Sequence, residues 1–187
     1  MKSINKLEFH ATPRNWNKFL IRKESSLYTE ILQDNSIDFI KQCHYCSYKL
    51  THSNVHLVNI DNDYSKTTSN NLRAACDLCS SVLFLDRYDT TYKGADQLIY
   101  FPSIPQYKLS HLYRSFHKYN QKNKIKAIEL FSELKSYSGV LDGMTFQGLS
   151  NPGIFKHYLY TRNGDSLLIN SIRWIPASIS EEFSLFR

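Results

Sequence analysis

The sequence predicts an α+β fold in which a small metal-binding core is joined by further helices, mainly in the C-terminal half. Two observations predict the core: a pair of Cys-x-x-Cys motifs, and strand-like and turn-like segments between them. A third observation predicts the helices, because apolar residues recur every three or four positions through much of the chain after residue 105.

The four cysteines form two pairs, Cys43 with Cys46 and Cys76 with Cys79, which residues 47–75 separate. Two residues between thiols let one turn of chain direct both sulfurs at one ion, and four thiolates complete the tetrahedral shell of zinc. We therefore predict one structural Zn²⁺ bound by these four cysteines. A closed shell of this kind has no open position for water and does no chemistry.

Two other uses of the cysteines are weaker. Disulfides are typical of secreted proteins, but the first ten residues, MKSINKLEFH, contain no apolar segment of a secretory signal. A redox Cys-x-x-Cys pair needs a βαβ setting and would leave the second pair unexplained. No stretch approaches the ~20 apolar residues of a membrane span, so we expect a soluble, intracellular protein with reduced thiols.

The charge balance is mildly basic. Lys and Arg number 23 against 17 Asp and Glu, which gives a net charge of +6 and a pI near 9.1. This balance is compatible with nucleic acid or with an acidic partner. The basic residues are scattered, with short clusters at Arg22 and Lys23 and at residues 122–126, so charge alone indicates neither.

The N-terminal and middle thirds have readable element signals. Thr12 and Pro13 predict a helix start. The apolar residues of that helix are Trp16, Leu20, Leu27, Ile31 and Leu32. Residues 48–54 predict a strand and a turn, residues 55–60 predict a second strand, and the polar residues 61–70 predict a loop. A helix is then predicted from Leu72 through the second cysteine pair, where residues three apart share a face.

The C-terminal half reads as mostly helical. We predict a strand over residues 97–101, helices from Pro105, over residues 125–137 and from Pro152, and a last strand over residues 167–175. The predicted parts are an N-terminal helical segment (residues 1–36), a metal-binding module (37–92) and a helical part (93–187), all packed as one compact domain.

Residues 42–81 resemble an HNH-type ββα-metal module, with a cysteine pair, a hairpin, a loop and a helix that carries a second pair. In active members a histidine that ends the second strand is the general base. The resemblance places Asn59 there, and asparagine cannot take a proton from water near neutral pH. Ser80 follows the second pair and is a poor metal ligand. We therefore predict a retained HNH-like scaffold, no catalytic residues and no enzyme activity.

The three histidines near this module are given structural or solvent-exposed roles. His44 lies inside the first cysteine pair, His52 in the predicted hairpin turn, and His56 on a strand face opposite to that of Asn59.

The flanking segments resemble the IcmJ/DotN family of the bacterial Dot/Icm type IVB secretion system and related conjugation systems. The resemblance runs from about Lys41 to Pro176. It is carried by the four cysteines, by IYFP-x-x-P-Q (residues 99–106), by LSHLYR (109–114) and by IRWIP (172–176).

This resemblance implies a non-catalytic zinc-binding adaptor subunit of a type IV secretion coupling complex. Such a subunit is cytoplasmic, peripheral to the inner membrane, and binds the C-terminal region of the coupling ATPase and other coupling-complex subunits while effector proteins are recruited. The alternatives are an HNH endonuclease or a DNA-binding protein derived from one, which metal-dependent nicking and salt-dependent heparin binding would reveal. A zinc-ribbon transcription accessory explains the cysteines but not the helical C-terminal half.

Thirteen aromatic residues between Tyr100 and Trp174 suggest where a partner binds. A small domain buries only some of them, and exposed Tyr and Phe are common interface anchors. We predict that the partner surface lies mainly outside the cysteine pairs and that the partner segment is acidic.

Overall fold

The computed structural model confirms an α+β fold with two small sheets. It describes residues 7–34, 38–65, 68–94, 96–116, 121–144, 147–161 and 166–177. The chain divides into two compact units between Arg87 and Tyr88. That the whole chain packs as one domain stays a prediction. None of the described helices is long and apolar enough to cross a bilayer.

The first unit pairs a two-stranded sheet with short helices. Its elements are α1 (Asn15–Lys23), α2 (Ser26–Gln33), β1 (Val55–Asn59), β2 (Leu72–Cys76) and α3 (Asp77–Leu83), with single 3₁₀ turns at Asp38–Lys41, Ser69–Asn71 and Leu85–Arg87. β1 and β2 are antiparallel, with Val55 opposite Cys76 and Asn59 opposite Leu72. The long connection between the strands contains the polar loop that the sequence predicts.

The second strand lies where the sequence predicted a helix. The predicted helix from Leu72 begins only at Asp77, because residues 72–76 pair with β1 and all but Arg73 are buried. The predicted strand at residues 48–54 is reduced to one bridge between Gln42 and Lys49. The turn that was predicted with it is present, and in it the Thr51 N–H donates to Asn54 Oδ1 at 2.8 Å.

The predicted N-terminal helix is two helices with a different buried face. α1 starts at Asn15 rather than Pro13, and α2 starts anew where Ser25 Oγ accepts a hydrogen bond from the Tyr28 N–H. Phe19 is buried at the centre of this unit, with its ring centroid 4.6 Å from that of Phe84. Leu20 and Leu27, two of the apolar residues whose spacing predicted the helix, are exposed.

The second unit packs helices around another two-stranded sheet. Its elements are β3 (Gln97–Tyr100), α4 (Gln106–Phe116), α5 (Gln121–Met144), α6 (Pro152–Thr161), α7 (Ser166–Ser171) and β4 (Ile172–Ile175). β3 and β4 are antiparallel, and α5 packs on β3. The predicted last strand is half helix, because α7 occupies residues 166–171. Gln106 joins α4 to the sheet, since its amide donates to the Trp174 carbonyl and accepts from the Trp174 N–H.

Gly153, the second residue of α6, lies against the chain at Asp89. A Cβ on Gly153 would lie 1.8 Å from the Asp89 carbonyl oxygen, which is backbone and cannot rotate away. We therefore expect Gly153→Ala to lower the free energy of unfolding by about 1–3 kcal/mol in denaturant titrations. Gly143→Ala in α5 is the matched control, because no atom outside the neighbouring turns of the helix lies within 4 Å of where its Cβ would be. It should be neutral or stabilising by up to about 1 kcal/mol, and equal losses in both variants would contradict the prediction.

Candidate metal centre

The first cysteine pair lies in a tight turn that its own backbone closes. The Cys43 N–H donates to the Tyr48 carbonyl and the Ser47 N–H donates to the Cys43 carbonyl, each at 2.8 Å. Ser47 completes the turn with a positive φ of 56°. The turn thereby directs Cys43 and Cys46 to the same side, and both are buried.

The second cysteine pair lies at the junction of a strand and a helix. Cys76 is the last residue of β2 and the N-cap of α3, and Cys79 lies in the first turn of that helix. The turn that contains Cys43 and Cys46 is hydrogen-bonded to this junction in two places. The His44 N–H donates to the Ala74 carbonyl at 2.8 Å, and the Cys76 N–H donates to Cys43 Sγ at 3.4 Å. The non-local pairing of β2 therefore brings the two pairs together.

The four sulfurs form a compact group. All lie within 4.8 Å of one another, all four residues are buried, and none is in a disulfide. Cys46 Sγ and Cys76 Sγ are 3.7 Å apart. A tetrahedral ion with metal–sulfur bonds of about 2.3 Å separates its ligands by about 3.8 Å. The cluster thus has the size and the donor atoms of a four-thiolate metal centre.

The electrostatics of the cluster favour a bound cation. Hydrogen bonds within the cluster, first of all with Cys43, raise the pKa of the Cys46 and Cys79 thiols, and burial adds to the effect. The hydrogen bond with Cys46 instead lowers the pKa of Cys43. Because four thiolates this close repel one another, full deprotonation requires a compensating positive ion. The residues present therefore fit a soft, tetrahedral metal ion.

Asn59, at the predicted general-base position, has a buried side chain that is hydrogen-bonded within the protein and is not accessible to solvent. Its side chain is fully buried, where the amide nitrogen donates to the Asp63 carbonyl at 2.6 Å and the amide oxygen accepts from Arg22 Nη1. Its backbone N–H donates to the Tyr64 hydroxyl at 3.2 Å. Ser80 is also buried, and its hydroxyl donates to the Asp77 carbonyl at 3.0 Å.

Arg22 is the residue that sequence reasoning missed. It entered only as half of a basic pair, yet its side chain is buried in the first unit. Its Nη2 donates to the Leu57 carbonyl, and its guanidinium lies 4.9 Å from the centroid of the Tyr64 ring. The available signal was its spacing from Phe19, since residues three apart share one helix face.

The three histidines take no part in the sulfur cluster. His56 Nε2 is 2.8 Å from Asp77 Oδ1, and His56 lies next to the Phe19 ring. His44 is half-buried and its ring contacts that of Tyr45, whereas His52 is exposed. These positions agree with the structural and solvent-exposed roles expected of them.

The fold and the cluster define a class: a small α+β protein with a buried four-cysteine centre of the metal-binding type. The chain is 24% identical over 179 residues to the Type 4 apparatus protein DotN of Legionella pneumophila subsp. pneumophila strain Philadelphia 1. The match covers 91% of this chain and 83% of that protein. It confirms the resemblance to the IcmJ/DotN family that the sequence predicted. No protein-family model matches the chain.

Proposed function

We propose that this chain is a non-catalytic, zinc-binding adaptor subunit of a bacterial type IV secretion coupling complex. The observation that carries the proposal is the similarity to the type 4 apparatus protein DotN, which extends over 91% of the chain rather than over one motif. An isolated cysteine motif recurs in unrelated proteins, whereas similarity across both compact units favours a shared role for the whole chain.

Zinc is the ion proposed for the cysteine centre. Four buried thiolates are the donor set of structural zinc, and a shell they complete leaves no position for water or substrate. The antiparallel strands β1 and β2 followed by α3 support an HNH-like ββα arrangement around this ion. In the proposed role the metal holds the first unit rigid, so that the surrounding helices present a fixed surface.

The partner proposed is the C-terminal region of the coupling ATPase, together with other coupling-complex subunits. The chain would then be cytoplasmic, peripheral to the inner membrane through that complex, and would help to recruit effector proteins.

We predicted that some of the thirteen aromatic residues between Tyr100 and Trp174 are exposed at a partner surface. None of the ten whose side chains the structure describes is fully exposed. Five are buried and five half-buried; Phe116, Tyr119 and Phe146 have side chains outside the described part of the chain.

The test is co-expression of the chain with the C-terminal region of the coupling ATPase from the same bacterium. We expect the two to co-elute in size exclusion at micromolar concentration and to titrate as one complex in calorimetry. Because the chain carries a net charge of +6, association should be faster at low salt. Separate elution, combined with DNA binding of steep salt dependence, would contradict the adaptor role and favour a DNA-binding protein.

Nuclease activity distinguishes the alternative function. A general base must reach the proton that it abstracts, whereas Asn59 is buried and both of its amide groups are hydrogen-bonded. We expect no nicking of supercoiled plasmid with Mg²⁺ or Mn²⁺, with Asn59→Ala indistinguishable from wild type. Metal-dependent nicking that disappears in His56→Ala would favour the nuclease instead.

A further inference from the structure

A cavity of about 250 Å³ opens between α1 and α2 in the first unit. Tyr28 and Leu57, which line it, are buried, whereas Ile21 is 73% exposed and Leu27 48% exposed. Ile31 adds a further aliphatic wall, one turn after Leu27. The cavity is therefore apolar inside and continues onto an apolar rim that faces solvent.

The size of the cavity indicates what enters it. Pockets for drug-sized ligands and cofactors span about 300–1,000 Å³, so this cavity suits one or two side chains instead. A small molecule confined to it would cover only part of Ile21 and Leu27, whereas a polypeptide segment laid across the rim would cover both side chains more fully. Exposed aliphatic residues that continue into a cavity are typical of a protein-binding surface.

Arg22 gives this cavity its charge preference. It lines the cavity, is only 8% exposed, and binds two neutral oxygens, the Leu57 carbonyl and Asn59 Oδ1. Burial lowers its pKa, and the neighbouring Tyr64 and Tyr28 act in the opposite direction. Its Nε has no hydrogen-bond partner, and within the described part of the chain no carboxylate contacts the guanidinium. A desolvated cation without a counter-ion attracts an anion strongly.

The rest of α1 carries the same sign. Lys18 lies one turn before Arg22, Lys23 follows it, and α1 contains no acidic residue. Glu24 and Glu30, the next acidic residues along the chain, are exposed. Solvent screens these carboxylates as it screens Lys18 and Lys23, so the buried guanidinium of Arg22 accounts for most of the charge preference. The face of α1 that borders the cavity therefore carries Lys18 and Arg22 and no acidic residue.

We propose that the cavity between α1 and α2 docks an acidic segment of a partner protein. A bulky aliphatic side chain enters between Ile21 and Leu27, and a neighbouring carboxylate faces Lys18 and Arg22. The inference deepens the proposed adaptor function and rests on it for the choice of partner. An anionic membrane surface fits less well, because the apolar groups line a concavity between two short helices rather than one continuous convex face.

Calorimetry with the full chain and the C-terminal region of the coupling ATPase tests the surface. Ile21→Glu should weaken binding at least tenfold, and Lys18→Glu severalfold, with the latter loss shrinking as salt is raised. Ile125→Glu, at a 60% exposed isoleucine in the second unit, is the matched control and should stay within twofold of wild type. Equal effects at positions 21 and 125 would overturn the proposal, provided that all variants keep the wild-type melting temperature.

Crosslinking in the cell separates this inference from the proposed function. The native bacterium expresses the chain with benzoylphenylalanine at position 21 or at position 125, and mass spectrometry identifies the crosslinked peptides. A position-21 crosslink to an acidic, aliphatic segment supports the inference, even if the ATPase region does not bind and the proposed partner fails. Crosslinks to lipid, to another copy of this chain or to a basic segment overturn it, as does the absence of any crosslink specific to position 21.

Discussion

A Cys76→Ser chain is expected to purify without its metal ion and to lose the folded state of the first unit. Cys76 is one of four sulfurs within 4.8 Å, and it is also the residue at which β2 ends and α3 begins. Apparent binding free energies of structural zinc sites are about 10–16 kcal/mol, which exceeds the stability of most small domains. Loss of the ion should therefore appear as unfolding, protease sensitivity or insolubility.

Metal content and thermal unfolding measure this effect. Wild type should contain one zinc per chain and should melt at a lower temperature after treatment with a strong chelator. Ser80→Ala is the matched control, because it lies one residue beyond the second pair and loses only a hydrogen bond to the Asp77 carbonyl, worth about 1 kcal/mol. Wild-type protein without zinc, or a Cys76→Ser variant with unchanged metal content and melting temperature, would contradict the prediction.

The clustering of the four cysteines could be predicted from sequence because the chemistry that suggests it is local. A Cys-x-x-Cys pair needs only one turn of chain to bring its two sulfurs to the same side. With two such pairs and no other cysteine in the chain, the simplest arrangement is a single group of all four sulfurs. The strand at residues 55–59 was also predictable, since it combines β-branched residues with a following turn. β2 was not, because its sequence LRAAC suits a helix and becomes a strand only by pairing with β1, a non-local interaction.

The buried face of α1 was only partly predictable: the three-residue spacing of Phe19 and Arg22 places them on one helix face, but hydrophobicity favours another. Hydrophobicity favours Leu20 for the core, yet Phe19 and Arg22 are buried and Leu20 is exposed. A charged side chain such as that of Arg22 is buried at low cost only where hydrogen-bond acceptors are available to it. Here the acceptors belong to Leu57 and Asn59 on β1, about 35 residues further along the chain. No local pattern in residues 15–23 reports their presence.

Side-chain hydrogen bonds made by Arg22, Tyr28 and Tyr64 satisfy backbone groups along the edge of β1 that faces away from β2. The Leu57 N–H donates to the Tyr28 hydroxyl at 3.0 Å, and the Leu57 carbonyl accepts from Arg22. The Asn59 N–H donates to the Tyr64 hydroxyl. Alternate residues of a strand direct these groups away from the paired neighbour, so side chains here cover the edge of β1 that β2 does not. An uncovered edge would be open to pairing with other chains.

Arg22→Met is consequently expected to lower the free energy of unfolding of the first unit by about 3–5 kcal/mol. Methionine replaces the aliphatic stem of arginine and keeps much of its apolar contact, so the loss comes mainly from two buried acceptors, the Leu57 carbonyl and Asn59 Oδ1. The contact of the guanidinium with the Tyr64 ring is also removed. Denaturant unfolding followed by circular dichroism measures the change.

Two further variants show whether the effect arises from these acceptors. Lys23→Met, at the exposed neighbouring position, should stay within about 0.5 kcal/mol of wild type. In a double-mutant cycle, Asn59→Leu should cost less in the Arg22→Met background than in wild type, by about 1–3 kcal/mol, because the acceptor that it removes no longer has its donor. Equal losses for Arg22→Met and Lys23→Met, or strict additivity of Arg22→Met and Asn59→Leu, would show that the buried guanidinium does not stabilise the edge of β1.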